Sequence, residues 1–150
     1  SPLAIALTQR AKAHTSLGRP NEAETDLTNA IHIYQAIADE SDDPVWQTLL
    51  AWALRQRAKV RTSLERFAEA ETDLTNAIHI CQTLTNENRV WRSPLARALT
   101  ERAEVRTDLG RFAEAETDLT NAIHIRQAIA DESDDPDLRS LLADALTQQG

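Results

Sequence analysis

The string AETDLTNAIHI occurs three times, at Ala23 to Ile33, Ala70 to Ile80 and Ala115 to Ile125. No other feature constrains the fold as strongly, because each copy must make the same local structure and bury the same face. The copies are 47 and 45 residues apart. Each follows a related stretch: QRAKAHTSLGRPNEAE, QRAKVRTSLERFAEAE and ERAEVRTDLGRFAEAE. IADESDDP appears at Ile37 to Pro44 and again at Ile129 to Pro136, while LTNENRVW stands between the second and third copies. LRSLLADALTQQ, after Pro136, matches WQTLLAWALRQR from Trp46 and opens a fourth unit. The units are therefore about 1–43, 44–92, 93–135 and a partial 136–150, in a chain expected to be a fragment of a longer one.

Each unit reads as two helices. Asp43 suits an N-cap and Pro44 the first helical position, where no amide donor is needed. Leu50, Leu54, Ala58 and Leu64, joined by Ala53 and Val60, then recur at helical spacing. Glu65-Arg66 turns the chain, where the other units carry Gly18 and Gly110, residues that tolerate a left-handed helix end. The second helix buries Ala70, Leu74, Ala77, Ile78, Cys81 and Leu84. In unit three, Ser93-Pro94 reads as a cap pair like Ser1-Pro2. An earlier start would place Pro94 in the helix interior, at a cost of about 3 kcal/mol. The expected helices are 2–17, 20–38, 44–64, 67–85, 94–109, 112–131 and 136–149. Composition agrees: aromatics are 4% of residues, too few for a large sheet, and Ala and Leu dominate the apolar set.

The pattern resembles the tetratricopeptide repeat family. The carrying residues are a small residue in the first helix (Ala11, Ala58, Ala103), the turn glycines, and paired alanines in the second helix (Ala23 and Ala30, Ala70 and Ala77, Ala115 and Ala122). Leu27, Leu74 and Leu119 lie between the pairs. Small residues let antiparallel helices approach, and the leucine fills the gap at the next unit. The units are longer than the family's usual length of about 34 residues. His14, Arg61 and Arg106 replace its first-helix aromatic, and Gln35, Gln82 and Gln127 its closing proline. The resemblance implies an all-α, antiparallel helix-pair solenoid of about seven helices in a right-handed superhelix. It also implies a concave groove along the first helices, lined by Ile5, Thr8, Lys12, Trp52, Arg55, Lys59, Arg97, Thr100 and Glu104. Some members grip a terminal carboxylate. The matching positions are Thr8, Lys12, Gln56, Arg97 and Glu101, of which only Arg97 keeps a family residue type, so that clamp is not expected.

A formal net charge of -8 argues against a general nucleic-acid binder or a basic membrane-surface helix. No apolar run approaches the roughly 18 residues of a membrane span. The single Cys81 cannot form an internal disulfide, and a cytoplasmic location is expected. Phosphate loops, paired-carboxylate motifs and metal-spaced Cys/His clusters are not evident, so neither an enzyme nor a cofactor is expected. His32, His79 and His124 sit one repeat apart. Stacked helices separate equivalent side chains by about 8–10 Å, too far to share one zinc ion.

Trp52 lies among polar neighbours and reads either as a binding hot spot or as a ring covering the adjacent helix. Trp46 and Trp91 read as loop anchors. Arg55, Arg57, Lys59 and Arg61 make the first helix of unit two basic in an acidic chain. Arg57 and Arg61 fall near the packed side and are expected to pair with acids of neighbouring helices, while Arg55 and Lys59 could pair or face a partner. The units differ at Ile5, Trp52 and Arg97, and at Lys12, Lys59 and Glu104. That divergence points to a scaffold that binds a protein or peptide, with an acidic segment as the most complementary ligand. Near-identity of the second helices favours the alternative of a passive spacer within a larger protein. Leu138, Leu141, Leu142, Ala145 and Leu146 lack a following helix, so weak end-to-end self-association is also expected.

Overall fold

The computed structural model describes residues 1–133. Six α-helices follow one another: α1 (Pro2–Ser16), α2 (Pro20–Glu40), α3 (Pro44–Ser63), α4 (Phe67–Glu87), α5 (Arg92–Asp108) and α6 (Phe112–Ser133). A 3-10 turn, Arg89–Trp91, precedes α5. No strand occurs among the described residues. The helix expected over 136–149, with the apolar set from Leu138 to Leu146 and the end contact built on it, lies outside the described residues.

Local chemistry sets the helix ends. Ser1 Oγ accepts from the Ala4 amide at 3.5 Å, and the Asp43 carboxylate accepts from the Val45 amide at 3.0 Å. Pro2, Pro20 and Pro44 occupy first-turn positions, where a missing N–H costs nothing. The first helix of each of the first three units closes with one motif. The amides of Arg19, Arg66 and Arg111 each donate to a carbonyl five residues back, at 2.8 Å. The residue before each lies in the left-handed region: Gly18 at φ 74°, Glu65 at 60° and Gly110 at 76°.

The start of α5 differs from expectation. The helix begins at Arg92, so Ser93 is not its cap and Pro94 sits at the third helical position. The first four amides of a helix have no intrahelical acceptor, so Pro94 breaks no hydrogen bond there. Asn88 caps the preceding 3-10 turn by accepting from the Val90 amide at 3.0 Å. The second helices α2, α4 and α6 each run two residues beyond the expected end.

Consecutive helices pack against one another along the array. Ala11, Ala23, Ala30, Ala58, Ala70, Ala77, Ala103, Ala115 and Ala122 are all buried, which gives the close helix approach expected of them. Leu27 packs with Val60 of the next unit, and Leu74 with Val105. The main core runs through Ile31, Tyr34, Leu50, Leu54, Ile78, Cys81, Leu95 and Leu99. Each helix pair thus buries its apolar face only with its neighbours, as a solenoid requires.

Candidate functional site

The first helices α1 and α3 flank a groove of about 680 Å³, which Ile5, Thr8, Lys12, Trp52, Gln56 and Lys59 line. Trp52 is 40% exposed and Ile5 49%, both large apolar side chains facing solvent. Lys12 and Lys59, one in each unit, are exposed and make no ion pair among the described residues. Thr8 is nearly buried, and its hydroxyl donates to the Ile5 carbonyl at 2.7 Å. Ile5, Thr8, Lys12, Trp52 and Lys59 therefore share one concavity, and Gln56 and Val60 belong to it as well.

The remaining candidates lie further along the array. Arg55, Lys59 and Glu104 line a second hollow of about 130 Å³ between α3 and α5. Arg55 Nε donates to Glu101 Oε1 at 2.5 Å and its side chain is only 12% exposed, so its charge is already matched. Arg97 is exposed and makes no ion pair among the described residues. The Thr100 hydroxyl is taken up by the Ala96 carbonyl at 3.0 Å.

An ion-pair ladder joins the first helix of each described unit to its second, anchored by an acid on the apolar stripe. Asp26, Asp73 and Asp118, the aspartates of the repeated string, are buried. Arg10, Arg57 and Arg102 each grip one of them through two hydrogen bonds of 2.7–3.0 Å. Arg61 and Arg106 add a bond to Asp73 and Asp118, and each also reaches the glutamate of the preceding unit, Glu24 or Glu71, at 2.8 Å. The expected pairing of Arg57 and Arg61 is what the fold contains. The signal in the sequence was the fixed interval of 16 residues from arginine to aspartate in all three units.

Unit one differs, because His14 stands where the others have arginine. Its buried Nδ1 lies 3.0 Å from Asp26 Oδ2, and a hydrogen bond forms only when that nitrogen carries the proton. Arg10, hydrogen-bonded to Asp26, holds that carboxyl below its usual range despite burial. Burial alone would raise Glu24 and Glu71, but two arginines on each outweigh it and hold both low.

Other singled-out residues fall elsewhere. His32, His79 and His124 are exposed, one on each second helix. No group of three or more metal-type ligands forms among the described residues. Cys81 is buried under the next unit, and burial pushes its thiol up, against the pull of Arg55. Trp46 packs on the main core, and Trp91 is half-buried in the 3-10 turn. No helix among the described residues is long and apolar enough to cross a membrane.

Residues 3–44 match the tetratricopeptide repeat family. The second and third units carry the motif string of that matched unit. Among solved structures, BtubC (BKLC) from P. vanneervenii is similar over 84% of this chain, at 21% identity and a TM-score of 0.74. This chain spans 47% of the BtubC chain. The TPR domain of Arabidopsis FLU is similar at 17% identity, 82% coverage of this chain, 93% of that one and a TM-score of 0.66. The second TPR of Spaghetti (RPAP3), bound to the HSP90 peptide SRMEEVD, is similar at 23% identity, 82% and 92% coverage and a TM-score of 0.58. No curated protein matches the sequence. At these identities the structural likeness speaks for the fold.

Proposed function

We propose that this chain is a scaffold that binds a protein or peptide segment along its first helices, and that the segment is acidic. One observation carries the reading: an exposed Trp52 and Ile5 share a groove with two exposed lysines, Lys12 and Lys59, in a protein of net charge -8. Trp52 offers contact area that desolvates on binding, as interface hot spots do. The lysines attract carboxylates and select the partner mainly through the association rate. Arg97 extends the same charge along the array, whereas Arg55, already held by Glu101, contributes less. The Spaghetti domain, bound to a peptide with three acidic residues, is a precedent for this fold taking such a segment.

The test is selection from a peptide library in which acidic and apolar positions vary, followed by titration of the best binder. Trp52→Ala should weaken binding by about 2 kcal/mol. Lys59→Glu should slow association and flatten its dependence on salt. If no peptide is enriched, or if selected peptides bind both variants unchanged, the array is a passive spacer between other parts of a larger protein.

A further inference from the structure

In a repeat array, an end helix that serves as a cap carries a polar outer face. The outer face of α1 is not of that kind. Leu3 is 61% exposed, Leu17 is 65% exposed, and Ala6 between them is exposed as well. The counterparts of Leu3 and Ala6 in the following units are Leu50 and Ala53, then Leu95 and Ala98, all buried in the main core, while those of Leu17, Leu64 and Leu109, are partly buried.

The polar residues tell the same story. Arg57 Nη1 donates to Thr28 Oγ1 of α2, and Arg102 Nη1 to Thr75 Oγ1 of α4, both at 3.3 Å. Their counterpart Arg10 has a side chain 63% exposed, against 14% and 15% for those two. Arg66 binds Glu24 of α2, and Arg111 binds Glu71 of α4. Among the described residues, their counterpart Arg19 reaches only Glu22 of its own unit, and its side chain is 58% exposed. The face of α1 therefore closely repeats a surface that twice in this structure receives a helix bearing a glutamate and, four residues on, a threonine. The departures are His14 in place of Arg61 and Arg106, and the exposed Ala13 in place of Val60 and Val105, which pack on Leu27 and Leu74.

The opening of α1 adds an independent argument. Ser1 to Thr8 repeats Ser93 to Thr100 at every position except Ile5. Ser93 lies at the second position of α5, directly after the turn that leads out of α4. The opening of α1 thus repeats that of a helix which, in this structure, follows a preceding unit. We propose that the outer face of α1, with Leu3, Ala6, Arg10 and Arg19, is an interaction surface for the second helix of a further unit of this repeat, in line ahead of α1. Its glutamate would meet Arg19 and its threonine Arg10.

The experiment compares residues 1–150 with the same chain carrying a copy of residues 44–92 ahead of Ser1, a junction that reproduces the one between α4 and α5. Leu3→Asp and Arg19→Glu are made in both. In residues 1–150 both side chains face solvent, and the melting temperature should not move. In the extended chain each should lower it by several degrees. Changing the added copy's glutamate, the counterpart of Glu71, to arginine should restore what Arg19→Glu loses. Equal effects in the two chains would overturn the proposal. So would self-association of residues 1–150 that Glu116→Arg abolishes, since the face would then belong to α6 of a second copy.

Discussion

Asp73 is 1% exposed, yet it faces two arginines whose side chains are themselves mostly buried. A buried acid in such a place is strongly coupled to its partners, because its removal leaves their charges without compensation. Asp73→Ala should therefore cost about 3 kcal/mol in a denaturant titration, far more than an exposed pair would. A loss under 1 kcal/mol would show that water takes over the role of the carboxylate. Half of this arrangement was legible in the sequence, because Arg57 and Arg61 fall beside the packed face at helical spacing. The aspartate was not, because a charged residue is read as solvent-facing by default. Its position argued otherwise: Asp73 lies three residues after Ala70 and four before Ala77, on the apolar stripe itself. At the candidate groove, Trp52 and Lys59 could be placed on one face from their spacing. The engagement of Arg55 by Glu101 could not, since it depends on how two units separated by 46 residues in sequence meet.

At the scale of the element, the helix ends were readable wherever one residue decides them. Asp43 caps α3, and Gly18 and Gly110 close their helices in the left-handed conformation. The start of α5 was misjudged because proline was weighed as an interior residue, when the first turn accepts it freely. The turn of unit two carries a measurable strain. Glu65 holds φ 60° where the other units use glycine, and a residue with a Cβ pays about 1–2 kcal/mol for that conformation. At Gly18 and Gly110, a Cβ would meet nothing within 4 Å, so the cost at this turn is one of backbone and not of crowding. Glu65→Gly should stabilise the chain by about 1 kcal/mol, less than the full strain because glycine also frees the unfolded chain. Thermal unfolding of the single variant measures it, and no gain would mean that Glu65 has an offsetting contact.

Across the whole array, the units are joined by apolar contacts and by two repeated charge links. Glu24 ties unit one to Arg61 and Arg66 of unit two, and Glu71 ties unit two to Arg106 and Arg111 of unit three. The repeat period made the stacking of units legible, but not which acid would bridge them, since Glu24 and Glu71 belong to an identical string whose exposed positions look alike. These bridges make the stability of the array depend on pH in a definite sense. The folded carboxyls of Glu24 and Glu71 titrate below their ordinary value of 4.5, and Asp26 below 3.8. A carboxyl lowered on folding contributes stability that is complete above its unfolded value and is lost as the pH falls through its folded one. The array should hold its melting temperature down to about pH 5 and then lose it progressively toward about pH 3. Glu24→Gln combined with Glu71→Gln should lower the melting temperature at neutral pH and flatten the acid limb, because the substituted amides no longer titrate. Amide hydrogen exchange on the same variant should quicken first at the unit boundaries, where coupling between neighbours has been removed. If the acid limb keeps its slope in the double variant, Asp26 carries the acid sensitivity instead, and the bridges between units contribute little to it.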